Sequence, residues 1–441
     1  MLMNDLKFMA PELFLTGAVL LLTLIGAMRG DRVLSFVVWA AILACALTIG
    51  ECVTNPDYWA RSVVFNGLYV IDSFATTIKI ACLSGVILVL MMVNGALQND
   101  RIARFECPIL ILTSVLGMMV MVSANHFIAA YMGVELSALA LYVLAAFQRD
   151  SVLSSESGMK YFVLGALSSG ILLFGISLVY GFTGSLSFDA IHTALTGHPT
   201  AQQKVGSVVG MAFILAGLAF KISAVPFHMW TPDVYQGAPG SVTAFFATVP
   251  KVAALALLIR VLMYPFVGIA EDWGQIVAFL ALASMMWGAF AAVAQDNIKR
   301  LLAYGSIGNM GYALMGVLAA TPEGLSAALL YMFVYMAMTA GLFAVLLSVR
   351  RGDGEMVETM DDFAGLSQTH PVPAYLIAVM MFSMAGIPPL AGFFSKLMVF
   401  QAVVAAGYIT VAVVGVLRSV VAAYYYLRVI RIMFFDAPRG E

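Results

Sequence analysis

Charged residues are scarce in this sequence. Of its 441 residues, 10% are Asp, Glu, Lys or Arg, whereas a soluble domain carries roughly 25%. Hydrophobic residues account for 62%. Apolar stretches of about 18 residues or more recur along nearly the whole chain, and each is long enough to cross a hydrocarbon core of about 30 Å. We therefore predict that lipid is the solvent for most of the chain.

Cysteine is also scarce, and the common cofactor motifs are missing. The four cysteines, Cys45, Cys52, Cys82 and Cys107, lie far apart without a Cys-x-x-Cys pair, so they indicate neither an iron–sulfur cluster nor a structural zinc site. The sequence contains neither a Walker-type phosphate loop nor a dinucleotide fingerprint. We expect no cofactor and no metal in this chain, no direct use of ATP or NADH, and no nucleic-acid partner.

The hydropathy pattern predicts an all-α integral membrane fold with about 13 to 14 transmembrane helices. Thirteen spans can be placed, centred near about residues 20, 41, 82, 115, 137, 170, 217, 252, 284, 310, 336, 388 and 419.

Basic residues are distributed unevenly between the predicted loops. If the N-terminus lies outside, the outside loops contain only Lys7, Arg61 and Lys204. Lysine and arginine are enriched in the inside loops of membrane proteins, so this asymmetry predicts an N-terminus on the outside. The inside loops then contain Arg29, Arg32, Arg101, Arg104, Arg149, Arg300, Arg350, Arg351, Arg428, Arg431 and Arg439.

Proline interrupts two of the predicted spans, at Pro226 and at the pair Pro388 and Pro389. Proline lacks an N–H donor and clashes with the preceding turn, so we predict two half-helices joined by an unwound segment in each span. Such backbone is tolerated at membrane depth only where it is buried in protein or lines a water-filled cavity. The two breaks therefore indicate a pathway inside the protein.

The position of these breaks predicts an internal repeat. Each broken helix is the fourth in a block of five spans, and because five is odd the two blocks would be inverted relative to each other. We expect an N-terminal three-helix segment at 1–105, a first five-helix repeat at 106–265 and a second, inverted five-helix repeat at 270–435.

Four ionisable residues lie near mid-membrane depth in their predicted spans: Glu135, Lys221, Lys251 and Lys396. Each costs at least about 2.5 to 3.5 kcal/mol at a helix centre, and such residues usually pair or line water. One interpretation is a proton relay, because a lysine can gain and release a proton whereas an arginine stays protonated. The alternative is a structural ion pair between Glu135 and one lysine, with the other lysines reaching the interface through their long stems.

Three further residues are candidates for the relay. Lys160 and Lys299 open their spans on the predicted inside face, where reaching out to the interface is an equally good explanation. His228, just after the first break, can relay protons near neutral pH or bond to the carbonyls that the break frees. Arg418 also lies in mid-span, and the sequence offers no physical account of it.

Four segments of the chain carry a recognisable pattern: GVELSALALYVLAAF, GLAFKISAVPFHMWTPDVYQGAPGSVTAFFATVPK, AQDNIKRLLAYGSIGNMGY and FSMAGIPPLAGFFSKLMVF. They resemble the antiporter-like membrane subunits of respiratory complex I, the NADH-quinone oxidoreductase. Within that family, the N type is the most similar, because Lys251 occupies a position where the L and M types usually have histidine. The resemblance implies an ion pair between Glu135 and Lys221, a central Lys251 and a terminal Lys396 on the second broken helix.

The same resemblance implies a function and a cellular setting. We expect a proton-translocating, non-redox subunit of a bacterial inner-membrane complex, with its N-terminus on the periplasmic side. Its partners would be other membrane subunits, while NADH and quinone, together with flavin and iron–sulfur clusters, would belong to partner chains. A subunit of a multi-chain cation/proton antiporter and a structural membrane anchor are the alternatives.

The chain departs from the N-type pattern in two places. It ends after the thirteenth predicted span, where a fourteenth is expected, and Arg418 lies where a small or neutral polar residue is expected.

Overall fold

The computed structural model describes residues 2–351, 354 and 356–438. Arg439, one of the arginines assigned above to the inside loops, lies outside this part of the chain.

The N-terminal segment contains four helices and a small β-hairpin. A two-stranded antiparallel sheet, which the sequence did not predict, follows the third helix; it pairs Ser62 with Ile71 and Val64 with Tyr69. The elements are α1 (Leu2–Lys7), α2 (Ala10–Arg29), α3 (Leu34–Thr54), β1 (Ser62–Val64), β2 (Tyr69–Ile71) and α4 (Ser73–Asn99).

Helices make up the rest of the described chain. The first block consists of α5 (Glu106–Val122), α6 (Phe127–Ala145), α7 (Val152–Thr183), α8 (Phe188–Thr196), α9 (Ala201–Lys221), α10 (Trp230–Gly237), α11 (Gly240–Ala247) and α12 (Val249–Met263). The second block consists of α13 (Ala270–Val293), α14 (Ile298–Leu318), α15 (Pro322–Ser348), α16 (Leu366–Thr369), α17 (Pro371–Ala385), α18 (Ala391–Ala405) and α19 (Ile409–Phe435).

The helical membrane architecture predicted from hydropathy is confirmed. Ten stretches of the described chain are long and apolar enough to cross a membrane, and the first of them, Ala10–Thr54, joins α2 and α3 across a tight turn. Three shorter apolar helices, α5, α17 and α18, lie between them. Twelve of the thirteen predicted centres fall inside a helix, and the one near 388 falls between α17 and α18.

Both predicted breaks are present, and a third break was missed. The chain leaves helical geometry between α9 and α10, around Pro226, and between α17 and α18, around Pro388 and Pro389. A further interruption separates α11 from α12 at Thr248, whose φ and ψ are −116° and −91°. Pro250 explains it, because the proline ring clashes with the preceding turn.

The loops at the two ends of the helices form two faces. The β-hairpin meets the loop before α6 through a bridge between Tyr69 and Ala124, and His126 in turn bridges Ser187 before α8. We call this the hairpin face. Arg61, one of the three basic residues predicted outside, lies here, with its guanidinium 3.7 Å from a carboxylate oxygen of Asp189.

The opposite end of the helices carries most of the loop arginines and is called the arginine face. Arg350 contacts Asp100 there, and the guanidinium of Arg428 lies 2.7 Å from the carboxylate of Asp296. Asn297 bridges Thr359, which ties the loop after α15 to the start of α14. Arg350 and Arg428, both predicted inside, thus lie at the face opposite Arg61.

Two of the spanning helices form the centre of the protein. In the α11–α12 span and in α14, 94% of the spanning window is buried inside the chain, a share well above that of the other spans. A polar side chain on these helices must therefore find its partners within the protein, because neither lipid nor bulk water reaches it. This position explains why the candidate site is built around them.

Candidate functional site

Lys251 lies at the centre of the candidate site. It is the third residue of α12, it follows the break at Thr248, and 1% of its surface is exposed. Its amine donates a hydrogen bond to the hydroxyl of Ser306 on α14 and lies 5.3 Å from the ring centroid of Tyr235. A buried amine is therefore held between two spanning helices without a carboxylate in contact, as far as the described residues go.

Lys396 occupies the second broken helix, where 5% of its surface is exposed. Its amine donates to the carbonyl oxygens of Met384, at 2.7 Å, and Ala385, at 3.1 Å. These carbonyls end α17 and have no partner within that helix because the break removes the next turn, and the partial negative charge of a helix C-terminus favours a cation. The break thus creates the site that holds this lysine.

Gly386 makes room for the Lys396 amine at the break. Its φ is +89°, in the left-handed region that favours glycine, and a Cβ atom there would lie 3.1 Å from the amine nitrogen. A larger residue would therefore strain the backbone and push against Lys396.

Glu135 and Lys221 do not form the ion pair that the resemblance implies. Lys221 ends α9, and its amine lies 5.8 Å from the ring centroid of Tyr142, two helical turns beyond Glu135 on α6. Among the described residues, neither the amine nor Oε1 of Glu135 has a hydrogen-bond partner. The two charges interact only at longer range, because Lys221 is placed over the Tyr142 ring rather than beside the carboxylate.

Glu135 also lies nearer the surface than Lys251 and Lys396. Like Lys221 it is half-buried, and its neighbours Met132 and Leu139 on α6 are exposed. The structure therefore places this carboxylate at the edge of the central helices.

A small cavity connects Lys221 with the start of α12. Its volume is about 30 Å³, and its lining includes Lys221, Ser137, Trp230 and Pro250, the residue before Lys251. A water needs a cavity of roughly 10–15 Å³ on this measure and two or more polar partners. The space beside Lys221 is therefore large enough for one.

A second cavity, of about 10 Å³, lies between the partners of Lys251 and Lys396. Its lining includes Ser306, which binds Lys251, and Met384, whose carbonyl binds Lys396. Asn309 and Thr339 also line it, and their side-chain oxygens have no hydrogen-bond partner within the described chain. Lys221, Lys251 and Lys396 thus follow one another along a line of polar groups and small cavities.

Lys299 lies at the arginine face, below this line. It is 4% exposed, and its amine lies 2.5 Å from a carboxylate oxygen of Glu358 and 3.3 Å from the carbonyl of Ala238. A polar cavity of about 660 Å³ reaches this ion pair, and its lining includes Asn297 and Thr359. Lys299 is therefore a buried cation at the base of a large polar opening.

Lys160 lies outside the line. Its amine pairs with Glu156 and Asp233, each at 2.7 Å, and 41% of its side chain is exposed. Arg300 binds the other oxygen of Asp233, also at 2.7 Å. Lys160 therefore belongs to an ion-pair cluster at the arginine face.

His228 lies in the first break. Its ring centroid is 5.9 Å from that of Trp287 on α13, and its Nδ1 atom has no hydrogen-bond partner among the residues described.

Two more ion pairs involve the N-terminal segment, one within it and one between it and α12. Lys79 pairs with Glu12 at 2.8 Å, while Arg260 binds both carboxylate oxygens of Asp72 at 2.9 Å. Burial alone would raise the pKa of Asp72, but the bonds from Arg260 and from the backbone N–H of Ala75 lower it on balance. Both pairs are structural contacts, and Arg260 lies at the end of α12 away from Lys251.

Sequence reasoning missed the groups between the lysines. Ser306, Asn309 and Tyr312 all lie on α14, in the segment YGSIGNMGY. Polar side chains in an otherwise apolar span were the available signal. Their order relative to Lys251 and Lys396 required the tertiary structure, in which α14 meets Lys251 through Ser306 and packs on α18.

A family model described as "NADH:quinone oxidoreductase/Mrp antiporter, TM" matches residues 124–422 of this chain. This range includes Glu135, the three central lysines and both predicted breaks.

Curated relatives match nearly the whole chain. A protein named NADH-quinone oxidoreductase subunit N, from Methylobacterium nodulans, is 53% identical over 426 residues, which cover 97% of this chain and 87% of the relative. NADH-quinone oxidoreductase subunit N 1 of Rhizobium meliloti is 51% identical over 440 residues, which cover 100% and 90%.

Two solved structures share the fold. A chain of respiratory complex I from Thermus thermophilus with bound aureothin has a TM-score of 0.81 and 31% identity, covering 98% of this chain and 91% of that one. A chain of the Mrp complex from Dietzia sp. has a TM-score of 0.86 and 25% identity, covering 98% and 81%.

The fold and the buried lysines define a multi-pass α-helical membrane protein with charged side chains in an apolar interior. The chain belongs to the NADH:quinone oxidoreductase/Mrp antiporter family. The resemblance identified from the sequence is therefore confirmed, including its N type.

Proposed function

We propose that this chain is a proton-translocating, non-redox subunit of an NADH:quinone oxidoreductase. Lys221, Lys251 and Lys396 carry the protons in this proposal, and electron transfer takes place in partner chains that hold flavin and iron–sulfur clusters. The observation that carries the proposal is the succession of these lysines, Ser306 and two small cavities around the most buried helices.

The relatives support this assignment over the alternative of a cation/proton antiporter subunit. Relatives named subunit N reach 53% identity, whereas the chain of the Mrp complex is 25% identical. Co-purification separates the two, because flavin and iron–sulfur partners are expected only for the oxidoreductase. Other membrane subunits of that complex are the expected neighbours of this chain.

The two blocks pack in corresponding ways, which supports an inverted repeat of 106–265 and 270–435 after an N-terminal segment at 1–105. Helix α5 packs on α6 as α13 packs on α14, and α7 contacts α10 as α15 contacts α18. Corresponding discontinuous helices in inverted repeats are typical of transport routes at mid-membrane.

The direction of transport follows from the two faces. The arginine face would lie in the cytoplasm of a bacterium, and the hairpin face with the N-terminus would lie in the periplasm. Protons would then enter through the polar cavity of about 660 Å³ and reach Lys299 and Glu358 at its base. Lys160 and His228 lie beside this route and have supporting roles at most.

Repulsion between protonated lysines controls when the proton leaves Lys251 in this proposal. Two protonated lysines close together repel each other strongly in a medium of low dielectric constant. When Glu135 neutralises Lys221, Lys251 can hold a proton. When Glu135 and Lys221 separate, the unpaired positive charge of Lys221 drives that proton toward Lys396. In this proposal, the separated arrangement of Glu135 and Lys221 corresponds to the second state.

Pumping by Lys251 variants tests the function. Inverted membrane vesicles that contain the intact complex are energised with NADH, and a pH-sensitive dye reports the proton gradient. We expect Lys251→Ala and Lys251→Arg both to lose most pumping, since the arginine keeps the charge but cannot release a proton. Lys204→Ala, which removes a half-exposed lysine at the hairpin face, is the matched control and should pump normally. Wild-type pumping by Lys251→Arg would show that Lys251 supplies only a fixed charge.

A further inference from the structure

Arg418 on α19 is a buried cation that the proposed relay does not use. It is 1% exposed, and no carboxylate of the described residues lies within 4.0 Å of its guanidinium. One nitrogen donates weakly to the carbonyl of Gly305, at 3.3 Å, and to the hydroxyl of Tyr425, at 3.5 Å. The other two nitrogens have no partner in the described chain. A guanidinium stays protonated, so this site carries a permanent positive charge.

Helix α14 is shaped to accept this guanidinium. A Cβ atom on Gly308 would lie 2.5 Å from the nearest guanidinium nitrogen, so any larger residue at this position would displace Arg418. The guanidinium carbon lies 4.7 Å from the ring centroid of Tyr312, one turn further along α14. A glycine and an aromatic ring on one face of α14 thus hold the charge against the helix, because an aromatic ring attracts a cation.

The same ring connects Arg418 to the relay. The amine of Lys396 lies 5.2 Å from the ring centroid of Tyr312, so two cations share one aromatic side chain. Helix α14 also holds Ser306, the partner of Lys251, next to Gly305. Arg418 therefore lies beside the last step of the line, from Lys251 to Lys396.

Tyrosines supply the other titratable groups around this site. Tyr312 comes from α14, Tyr331 and Tyr335 from α15, and Tyr425 and Tyr426 from α19. Helix α17 contributes the two carbonyl oxygens that bind Lys396. Glu323 lies at the hairpin-face end of α15, beside a groove lined by Gln401 of α18. Arg418 is thus the one permanent positive charge beside Lys396 among the described residues.

We propose that Arg418 is a positioning residue whose fixed charge repels the proton held by Lys396 and so promotes its release. This inference rests on the proposed function, because it requires Lys396 to carry the proton. It assigns Arg418 no contact with the proton itself.

The test compares the pH dependence of NADH-driven pumping in vesicles that contain the intact complex. In Arg418→Gln the repulsion is lost, so Lys396 holds its proton up to a higher pH and the pumping profile should move to higher pH. For two charges about 10 Å apart at an effective dielectric constant of about 20, the shift is about one pH unit. Arg418→Lys keeps a charge at the site and should restore the wild-type profile.

Two variants separate this effect from packing. Arg418→Met fills the space without a charge or a polar group, and the same shift is expected. Arg428 lies on the same helix, but it binds Asp296 and is far from Lys396. The pumping profile of Arg428→Gln should therefore not move. An unshifted profile in both neutral Arg418 variants would overturn the inference. Assembly of the complex is measured by NADH oxidation with an artificial acceptor. If neither neutral Arg418 variant assembles, Arg418 has a structural role and the inference is overturned as well.

A double variant distinguishes this inference from the relay itself. If Arg418 acts through Lys396, Arg418→Gln should add nothing to the loss caused by Lys396→Gln. Normal pumping by Lys396→Gln would contradict the relay. A Lys396→Gln variant that fails to pump, together with no shift in Arg418→Gln, would contradict only the role of Arg418.

Discussion

The amine of Lys251 on α12 donates its hydrogen bond to the hydroxyl of Ser306 on α14. This contact joins the two most buried helices of the protein through a titratable group. A hydroxyl can accept a hydrogen bond from the amine and donate one onward, so Ser306 is suited to connect Lys251 to the cavity beyond it.

Removing this hydroxyl should slow pumping without abolishing it. In Ser306→Ala the amine loses a hydrogen bond with a net value of about 1 kcal/mol, so we expect roughly a fivefold lower rate in inverted vesicles. Ser157→Ala, which removes a buried hydroxyl bonded to the carbonyl of Ala145 away from the line, should retain the wild-type rate. Equal rates in the two variants would exclude Ser306 from the route.

Proton pumping should depend on Gly386 but not on Gly407. Both adopt a left-handed backbone, with φ of +89° and +87°, but only a Cβ on Gly386 would approach the Lys396 amine. Alanine costs roughly 1–2 kcal/mol of backbone strain at either position. We expect Gly386→Ala to lose pumping and Gly407→Ala to keep it at equal levels of assembled complex. Similar losses in both would attribute the effect to backbone strain alone.

Proton pumping should depend more on Lys299 than on Lys160. Lys299 is buried against Glu358 at the base of the large polar cavity, whereas Lys160 is half-exposed in an ion-pair cluster. Exposed ion pairs are worth about 0–1 kcal/mol, so Lys160→Ala should leave pumping nearly unchanged. Lys299→Ala should lower it several-fold. The reverse order would place proton entry beside Asp233 instead.

The orientation of the chain can be measured by cysteine labelling. Thr200 is exposed at the hairpin face and Asp150 at the arginine face, while the four native cysteines are buried. A maleimide that cannot cross the membrane should label Thr200→Cys in intact spheroplasts and Asp150→Cys only in inverted vesicles. The opposite pattern would place the N-terminus in the cytoplasm.

The isolated chain should oxidise no NADH and reduce no quinone. Relatives of this chain are named as one subunit of NADH-quinone oxidoreductase, and the proposal assigns electron transfer to other chains. Purification of this polypeptide alone, followed by an NADH–quinone assay, tests the expectation. Measurable turnover would contradict the assignment of electron transfer to partner chains.

Much of the fold could be predicted because a helix that spans a membrane needs a long apolar run, which is visible in the sequence. Apolar runs of spanning length marked the helices, and Pro226 and the Pro388–Pro389 pair marked two breaks. The break at Thr248 was missed because the apolar run continues through it, and only the structure shows that one helix ends at Ala247 and the next begins at Val249. The β-hairpin was also missed, because its strands are three residues each and pair outside the apolar runs.

The amino-acid sequence by itself determined that lysines 221, 251 and 396 lie within long apolar runs, from which a position deep in the membrane is predicted. Tertiary structure alone decided which groups these lysines meet. Lys221 lies over Tyr142 and apart from Glu135, Lys251 binds Ser306, and Lys396 shares the Tyr312 ring with Arg418. Those contacts join residues from about 50 to more than 100 positions apart, so they depend on how the helices pack and leave no trace in local hydropathy.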